Sequence, residues 1–304
     1  MRLGIIDCGT NTFHLLIAEV KPDGSYETVF RERSYVLIGE EGVTQLGEQP
    51  QKRGIETLKN FRRKMEEMAV DKWRAFGTEA LRRAGNSQSF IDKVREETGI
   101  NIEIISGDEE ARLIHLGVMQ AVPPFAGKAL IMDVGGGSVE FIIADAEKVY
   151  WAQSFPIGVQ VLYSDFQRND PISQGDIIAI EMHLESVLQP LAEQLKIHQT
   201  PLLIGASGTF EVVESMLRLD KPSPLYGIVD IEAFRSLCRK VWPATEAERL
   251  RMEGLPKERV KLISVALKLV DYTAKLANVR QIITSVFAMK EGMLKEEINA
   301  ALGK

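Results

Sequence analysis

The chain contains one short pattern twice. Asp7-Cys8-Gly9-Thr10-Asn11-Thr12, running into Phe13-His14-Leu15-Leu16-Ile17-Ala18, is echoed by Asp133-Val134-Gly135-Gly136-Gly137-Ser138, running into Val139-Glu140-Phe141-Ile142-Ile143-Ala144. In each copy an apolar run (3–6 and 129–132) ends in an Asp, a turn of small residues follows, and a second apolar run leaves it. Each copy therefore reads as strand, tight loop, strand. One such turn alone is an ordinary hairpin, but Asp, Gly, a hydroxyl residue, Ile and Ala recur at one common offset, which predicts two homologous halves. Small residues let backbone N–H groups approach an anion closely. The hydroxyls of Thr10, Thr12 and Ser138 add donors, and Asp7 and Asp133 at the strand ends can hold a metal or a water. Two such turns facing one another would grip a phosphate chain.

A chain of 304 residues with 45% hydrophobic content has room for two full cores, and no apolar run reaches the length of a membrane span. The N-terminal residues enter a strand directly, with no secretory h-region, so the expected location is the cytoplasm. Cys8 and Cys238 match no metal or disulfide spacing and are expected to be buried. A formal charge of −6 argues against a general nucleic-acid partner.

The first half reads βββαβα. Three strands, the third over 26–36, lead to a helix over 51–68, a strand over 73–77, a helix over 87–98 and a strand over 100–105. This order predicts a mixed α/β sheet with helices on its faces. Val122-Pro123-Pro124-Phe125-Ala126-Gly127 breaks the pattern, placing the boundary between lobes of 1–124 and 125–287. The second half repeats the order: strands over 128–133, 139–144 and 149–155, one long helix over 173–195, a strand over 201–205, then mostly helices to about 277. A last strand over 281–286 precedes a C-terminal helix, 288–304, expected to return to the first lobe.

Three further segments carry chemistry. Ser106 followed by Glu109 is a capping box, which gives Glu109 a structural task and leaves Glu110 in the first helical turn as a carboxylate able to deprotonate water. Gly77-Thr78-Glu79-Ala80-Leu81-Arg82-Arg83 follows a strand, so Thr78 and one of the two arginines reach the sheet's carboxyl edge, where an arginine fork suits phosphate oxygens. Gly205-Ala206-Ser207-Gly208-Thr209 is a third strand–turn–helix able to bind an anion. Ser207 lacks the spacing of a nucleophile elbow, and His14, His115, His183 and His198 show no claim to be its base or to pair as metal ligands.

These motifs, in this order, resemble those of the exopolyphosphatase and guanosine pentaphosphate phosphohydrolase (Ppx/GppA) family, in particular its short two-lobed members. The resemblance implies a duplicated actin/sugar-kinase/Hsp70-like, ribonuclease H-like α/β fold with an interdomain cleft. It implies that Glu110 is the general base for water attack on a terminal phosphoryl group, assisted by Glu140. Asp7 and Asp133 would hold Mg²⁺ or Mn²⁺. Thr10, Asn11, Thr12, Arg82, Gly135, Gly136, Gly137, Ser138, Gly208 and Thr209 would bind phosphate. The implied substrate is inorganic polyphosphate or guanosine pentaphosphate, with no nucleic-acid or membrane partner and with a homodimer as a possible assembly. A phosphate-chain sensor without catalysis is the reading from another class. The chain departs from the family pattern near its C-terminus. It reads Thr284-Ser285-Val286-Phe287 where an Asp-Gly pair is common, and Val260-Lys261-Leu262 follows Glu258-Arg259 in place of the Asp and Pro-Gly residues. For a long polyanion, Arg31, Arg33, Arg82, Arg112, Lys257, Arg259 and Lys261 are the basic side chains expected to line its path.

Overall fold

The computed structural model describes residues 1–42 and 44–303. Its contacts divide the chain into two compact units, Met1–Gly117 with Met289–Lys304, and Val118–Ala288. The first division falls at the end of a helix, before the Val122–Gly127 stretch that the sequence marks as the break. Lys304, the last residue of the expected first lobe, lies outside the described residues.

The first unit is built from β1 (Arg2–Cys8), β2 (Phe13–Val20), β3 (Tyr26–Ser34), α1 (Glu48–Glu67), β4 (Lys72–Gly77), α2 (Glu79–Arg83), α3 (Ser87–Thr98), β5 (Ile102–Ile104) and α4 (Gly107–Val118). Its sheet has the order β3-β2-β1-β4-β5, with β1, β2 and β3 antiparallel and β1, β4 and β5 parallel. Helix α1 buries Pro50, Gly54, Leu58, Phe61 and Met65, a stripe at three- and four-residue spacing that faces the sheet. Ile6, Phe13, Leu15, Ile17, Phe61 and Phe90 form the centre of this core.

The second unit comprises β6 (Ala129–Val134), β7 (Val139–Ala144), β8 (Val149–Phe155), α5 (Val159–Phe166), α6 (Gln174–Val187), α7 (Gln189–Ile197), β9 (Leu202–Ala206), α8 (Gly208–Leu217), β10 (Tyr226–Asp230), α9 (Ile231–Val241), α10 (Glu246–Arg249), a 3-10 turn (Lys257–Arg259), α11 (Ile263–Leu276) and β11 (Gln281–Ser285). Its sheet order is β10-β11-β9-β6-β7-β8. Without β10, this is the first sheet over again: β8-β7-β6-β9-β11 matches β3-β2-β1-β4-β5 in order and in strand direction. All six residues of β6 and of β7 are buried, as expected for central strands covered on both faces. The last helix, α12 (Met289–Ala301), belongs to the first unit and packs on β1 there.

Several elements differ from expectation: α2 and α5 are absent from the expected order, and two further differences have physical causes. The single helix over 173–195 is two, because Pro190 sits in the first turn of α7, where a ring without an N–H is tolerated, and Leu188 caps both segments. β10 lies in a region read as helical. It is five residues long, includes a glycine and owes its conformation to pairing with β11, which local periodicity does not record. Cys8 and Cys238 are both buried thiols, as expected. Burial, reinforced by Asp271, pushes the Cys238 thiol up to about 12, and burial with Asp7 raises Cys8 as well. Among the described residues no helix is long and apolar enough to cross a membrane.

Candidate active site

In the first lobe, three of the predicted motifs leave the carboxyl ends of three adjacent parallel strands. Cys8 of β1 is level with Gly77 of β4, and Gly77 with Ile104 of β5. Ladder bonds continue past the strand ends, with Thr78 N donating to Cys8 O (3.4 Å) and Ile105 N to Gly77 O (3.2 Å). The Asp7–Thr12 turn, the Thr78–Arg82 segment and the head of α4 are thereby held side by side. The turn itself closes through Gly9 N to Thr12 O (3.1 Å). Two of its carbonyls are engaged by one loop: Leu37 N donates to Asn11 O (2.9 Å) and Gly39 N to Thr10 O (3.4 Å). In a trans peptide the N–H points opposite to the C=O, so the N–H groups of Asn11 and Thr12 are directed away from the 37–39 loop. A run of amides so directed is an anion-binding nest. Leu37, the residue that closes this loop, has φ 52°, a left-handed conformation that a leucine adopts only when the surrounding structure enforces it.

The carboxylate of Glu110 is buried, 6% exposed, and accepts a hydrogen bond from Arg82 Nη1 (3.0 Å). The same Nη1 donates to Ile105 O (2.9 Å), while Nε and Nη2 of Arg82 both donate to one oxygen of Glu79 (3.2 and 2.7 Å). Burial opposes the charge on Arg82, but Glu110 and Glu79 outweigh it and hold the guanidinium above its ordinary value. Arg82 therefore fixes a carboxylate at the carboxyl end of the sheet that also carries the nest. A carboxylate so held can orient a water and take its proton.

The second lobe repeats the turn with different supports. Gly135 N donates to Ser138 O (3.0 Å), the counterpart of the Gly9–Thr12 bond. The carbonyls of Gly135, Gly136 and Gly137 accept from Val159 N (3.0 Å), Gln160 N (2.9 Å) and Gly158 N (3.0 Å), the amides at the start of α5. By the same peptide geometry, the N–H groups of Gly136, Gly137 and Ser138 turn away from α5. Asp133 and Glu140 are cross-strand partners in the β6–β7 ladder, both buried, at 9% and 2% exposure. One oxygen of Glu140 accepts from Ser138 Oγ and Ser154 Oγ, each at 2.7 Å. Two buried carboxylates on one face repel each other unless a proton or a cation intervenes, and their hard oxygens suit a divalent ion that completes its shell with water and phosphate. In the first lobe, the buried Oδ1 of Asn11, in the turn after Asp7, lacks a hydrogen-bond donor. An orphaned buried acceptor also fits a cation or its water.

At the third turn, Ser207 takes φ 68° and ties its Oγ to Val134 O (3.0 Å), linking the head of α8 to the strand that enters the glycine turn. Gly208 and Thr209 are buried at the head of α8, and the Arg259 guanidinium packs against the bare Cα of Gly208.

The structure gives the expected phosphate-binding side chains internal partners. Ser138 Oγ donates to Glu140, and Thr12 Oγ1 pairs with His14 Nε2 (2.9 Å). Arg82 is engaged by the two carboxylates of Glu79 and Glu110. The Ser106–Glu109 capping box is half made: Ser106 Oγ accepts from Glu109 N (3.1 Å), but the Glu109 carboxylate turns to Arg112 Nε and Nη2 (2.8 and 2.7 Å). Of the basic residues expected along a polyanion path, Arg31 and Arg112 of the first lobe also have carboxylate partners, Glu291 (3.4 Å) and Glu109. The supports of the two nests, Leu37–Gly39 and Gly158–Gln160, were not identified from the sequence.

Comparison with known proteins identifies the family and the fold. The model of the Ppx/GppA phosphatase family matches residues 16–301. A crystal structure of an exopolyphosphatase from Cytophaga hutchinsonii is similar to the chain with a TM-score of 0.94 and 36% identity, covering 99% of this chain and 98% of that one. The Ppx/GppA family member from Aquifex aeolicus is similar with a TM-score of 0.81 and 25% identity, at 99% and 98% coverage. The duplicated α/β architecture is the actin-like fold of these proteins.

Proposed function

Because the chain belongs to the Ppx/GppA phosphatase family and is a hydrolase acting on phosphoanhydrides, we propose that it is an exopolyphosphatase, releasing orthophosphate from the end of inorganic polyphosphate with Glu110 as general base. The observation that carries the mechanism is the buried Glu110 carboxylate, held by Arg82 at the carboxyl edge of the sheet that also carries the Asp7–Thr12 turn. Glu110 takes a proton from water, the water oxygen bonds to the terminal phosphorus, and the phosphoanhydride P–O bond breaks, leaving the shortened chain with the bridging oxygen. Backbone amides such as those of the Asp7–Thr12 nest supply donors where charge gathers on the phosphoryl oxygens, which is most of what phosphoryl transfer asks of a protein. Asp133 with Glu140, and Asp7 with Asn11 Oδ1, are the oxygens that would hold Mg²⁺, whose contribution is to neutralise phosphate charge.

Polyphosphate is preferred over guanosine pentaphosphate for two reasons. Backbone nests grip phosphate without reading a base. The hydroxyls in the divergent C-terminal segment are also taken up internally: Thr284 Oγ1 donates to Glu214 and accepts from Gly227 N (3.0 Å), and Ser285 Oγ donates to Phe287 O (2.7 Å). Selectivity for a nucleoside needs polar side chains aimed at it, which these are not. The exopolyphosphatase structure from Cytophaga hutchinsonii supports the same choice.

Orthophosphate release should be measured on polyphosphates of several lengths and on guanosine pentaphosphate, with and without EDTA. Release from polyphosphate, silenced by EDTA and restored by Mg²⁺, is expected. A higher kcat/KM on guanosine pentaphosphate than on every polyphosphate reverses the order of substrates. Binding of either without hydrolysis makes the protein a sensor, and full activity in EDTA removes the metal.

A further inference from the structure

Glu79 has no part in the reaction as described, yet it is 7% exposed and holds more of Arg82 than Glu110 does. Arg82 Nε and Nη2 converge on Glu79 Oε2 (3.2 and 2.7 Å), while Arg83 Nη1 approaches Glu79 Oε1 at 3.5 Å. On the opposite side of the guanidinium, Nη1 is shared between Ile105 O and Glu110 Oε2 (2.9 and 3.0 Å). A guanidinium is planar and its donors are fixed relative to one another, so whatever anchors its Nε and Nη2 edge also sets the direction of Nη1. Glu79 lies three residues before Arg82 on α2, close enough to clamp that edge within one helical turn.

From this geometry we infer that Glu79 is a positioning residue for Glu110, acting through Arg82; the inference rests on the assignment of Glu110 as the base. Glu79 does two things to the pair. It locks the plane of Arg82, so that Glu110 is offered to water in one orientation. It also shares the positive charge of Arg82 between two carboxylates. The charged groups that contact Arg82 or its anchor include Glu79 and Arg83 on α2. On the helix of Glu110 itself, Glu109 is paired to Arg112, which also bonds Glu296 of α12 (2.5 Å). An acidic residue in a helix's first turn also complements the helix dipole, which is the purely structural role to be separated from this one.

Glu79→Gln preserves shape and one oxygen acceptor while removing the charge, and Glu79→Ala removes the anchor. Orthophosphate release from polyphosphate in the presence of Mg²⁺ should show kcat reduced roughly 5-fold in Glu79→Gln and roughly 100-fold in Glu79→Ala, with KM within about 2-fold in both. In Glu79→Gln the undivided charge of Arg82 acts on Glu110 alone, so the acid limb of the pH–kcat/KM profile should move to lower pH. A structural role leaves that limb in place and is read instead as lost stability. The inference is overturned if Glu79→Gln leaves kcat and the acid limb unchanged, or if it raises KM with kcat intact, which would put Arg82 on the substrate. Glu110→Gln, measured alongside, separates the two assignments: retained turnover there removes the base itself, whatever Glu79 does.

Discussion

Glu110→Gln is expected to lower turnover by roughly 10² to 10⁴-fold with KM changed by no more than about 3-fold, because the amide keeps the volume and the Arg82 hydrogen bond but cannot accept a proton from water. The carboxylate is buried and its oxygen sits 3.0 Å from Arg82 Nη1. A glutamine oxygen can accept the same bond, so orientation survives and only the chemistry is lost. Steady-state kinetics on polyphosphate would read this directly, and near-normal turnover would dismiss Glu110 as the base. Glu109→Gln is the internal control. Its carboxylate is partly exposed and paired to Arg112, and losing such a surface pair costs within about 1 kcal/mol. The helix should stay folded and activity should remain close to that of the parent.

Gly158→Ala is expected to lower kcat/KM by about 100-fold, an effect the size of which follows from displacing a positioning element by about an ångström. The φ of Gly158 is −58°, open to any residue, so the constraint is one of space. A Cβ at this position would run into the backbone of Gly136 and Gly137. Backbone cannot rotate aside as a side chain can, so either the head of α5 or the glycine turn must move. The bonds from Gly158 N, Val159 N and Gln160 N that fix the turn's carbonyls would then be distorted. Overpacking of this kind should also cost about 1–3 kcal/mol of stability, seen as a lower urea midpoint. A variant that loses that stability but keeps kcat/KM would show that the turn does not depend on α5.

The duplication was legible because it is written in covalent sequence: Asp, Gly and a hydroxyl residue at one offset predict one turn built twice, and Gly9 N to Thr12 O and Gly135 N to Ser138 O are the same bond. Helix α3 (Ser87–Thr98) falls where the sequence placed it because its ends carry local signals, among them Gly99 in a left-handed C-terminal cap at φ 69°. β10 was missed because its conformation comes from pairing with β11. The break at Pro190 could have been read from the ring alone.

At the site the division runs between backbone and side chain. The sequence by itself determined that two small-residue turns stand at strand ends, that Glu109 and Glu110 open α4, and that a third strand–turn–helix runs through Gly205–Thr209. Those features depend on residues within a few positions of one another. The tertiary structure decided which partner each polar atom has: Arg82 lies between Glu79 and Glu110, Ser138 and Ser154 converge on Glu140, and Ser207 reaches Val134 O. It also decided that residues 37–39 and 158–160 take the carbonyls of the two turns, so that their amides face the other way. Hydrogen bonds between residues distant in the chain leave no periodicity in sequence, because each needs only one donor and one acceptor brought together by the sheet.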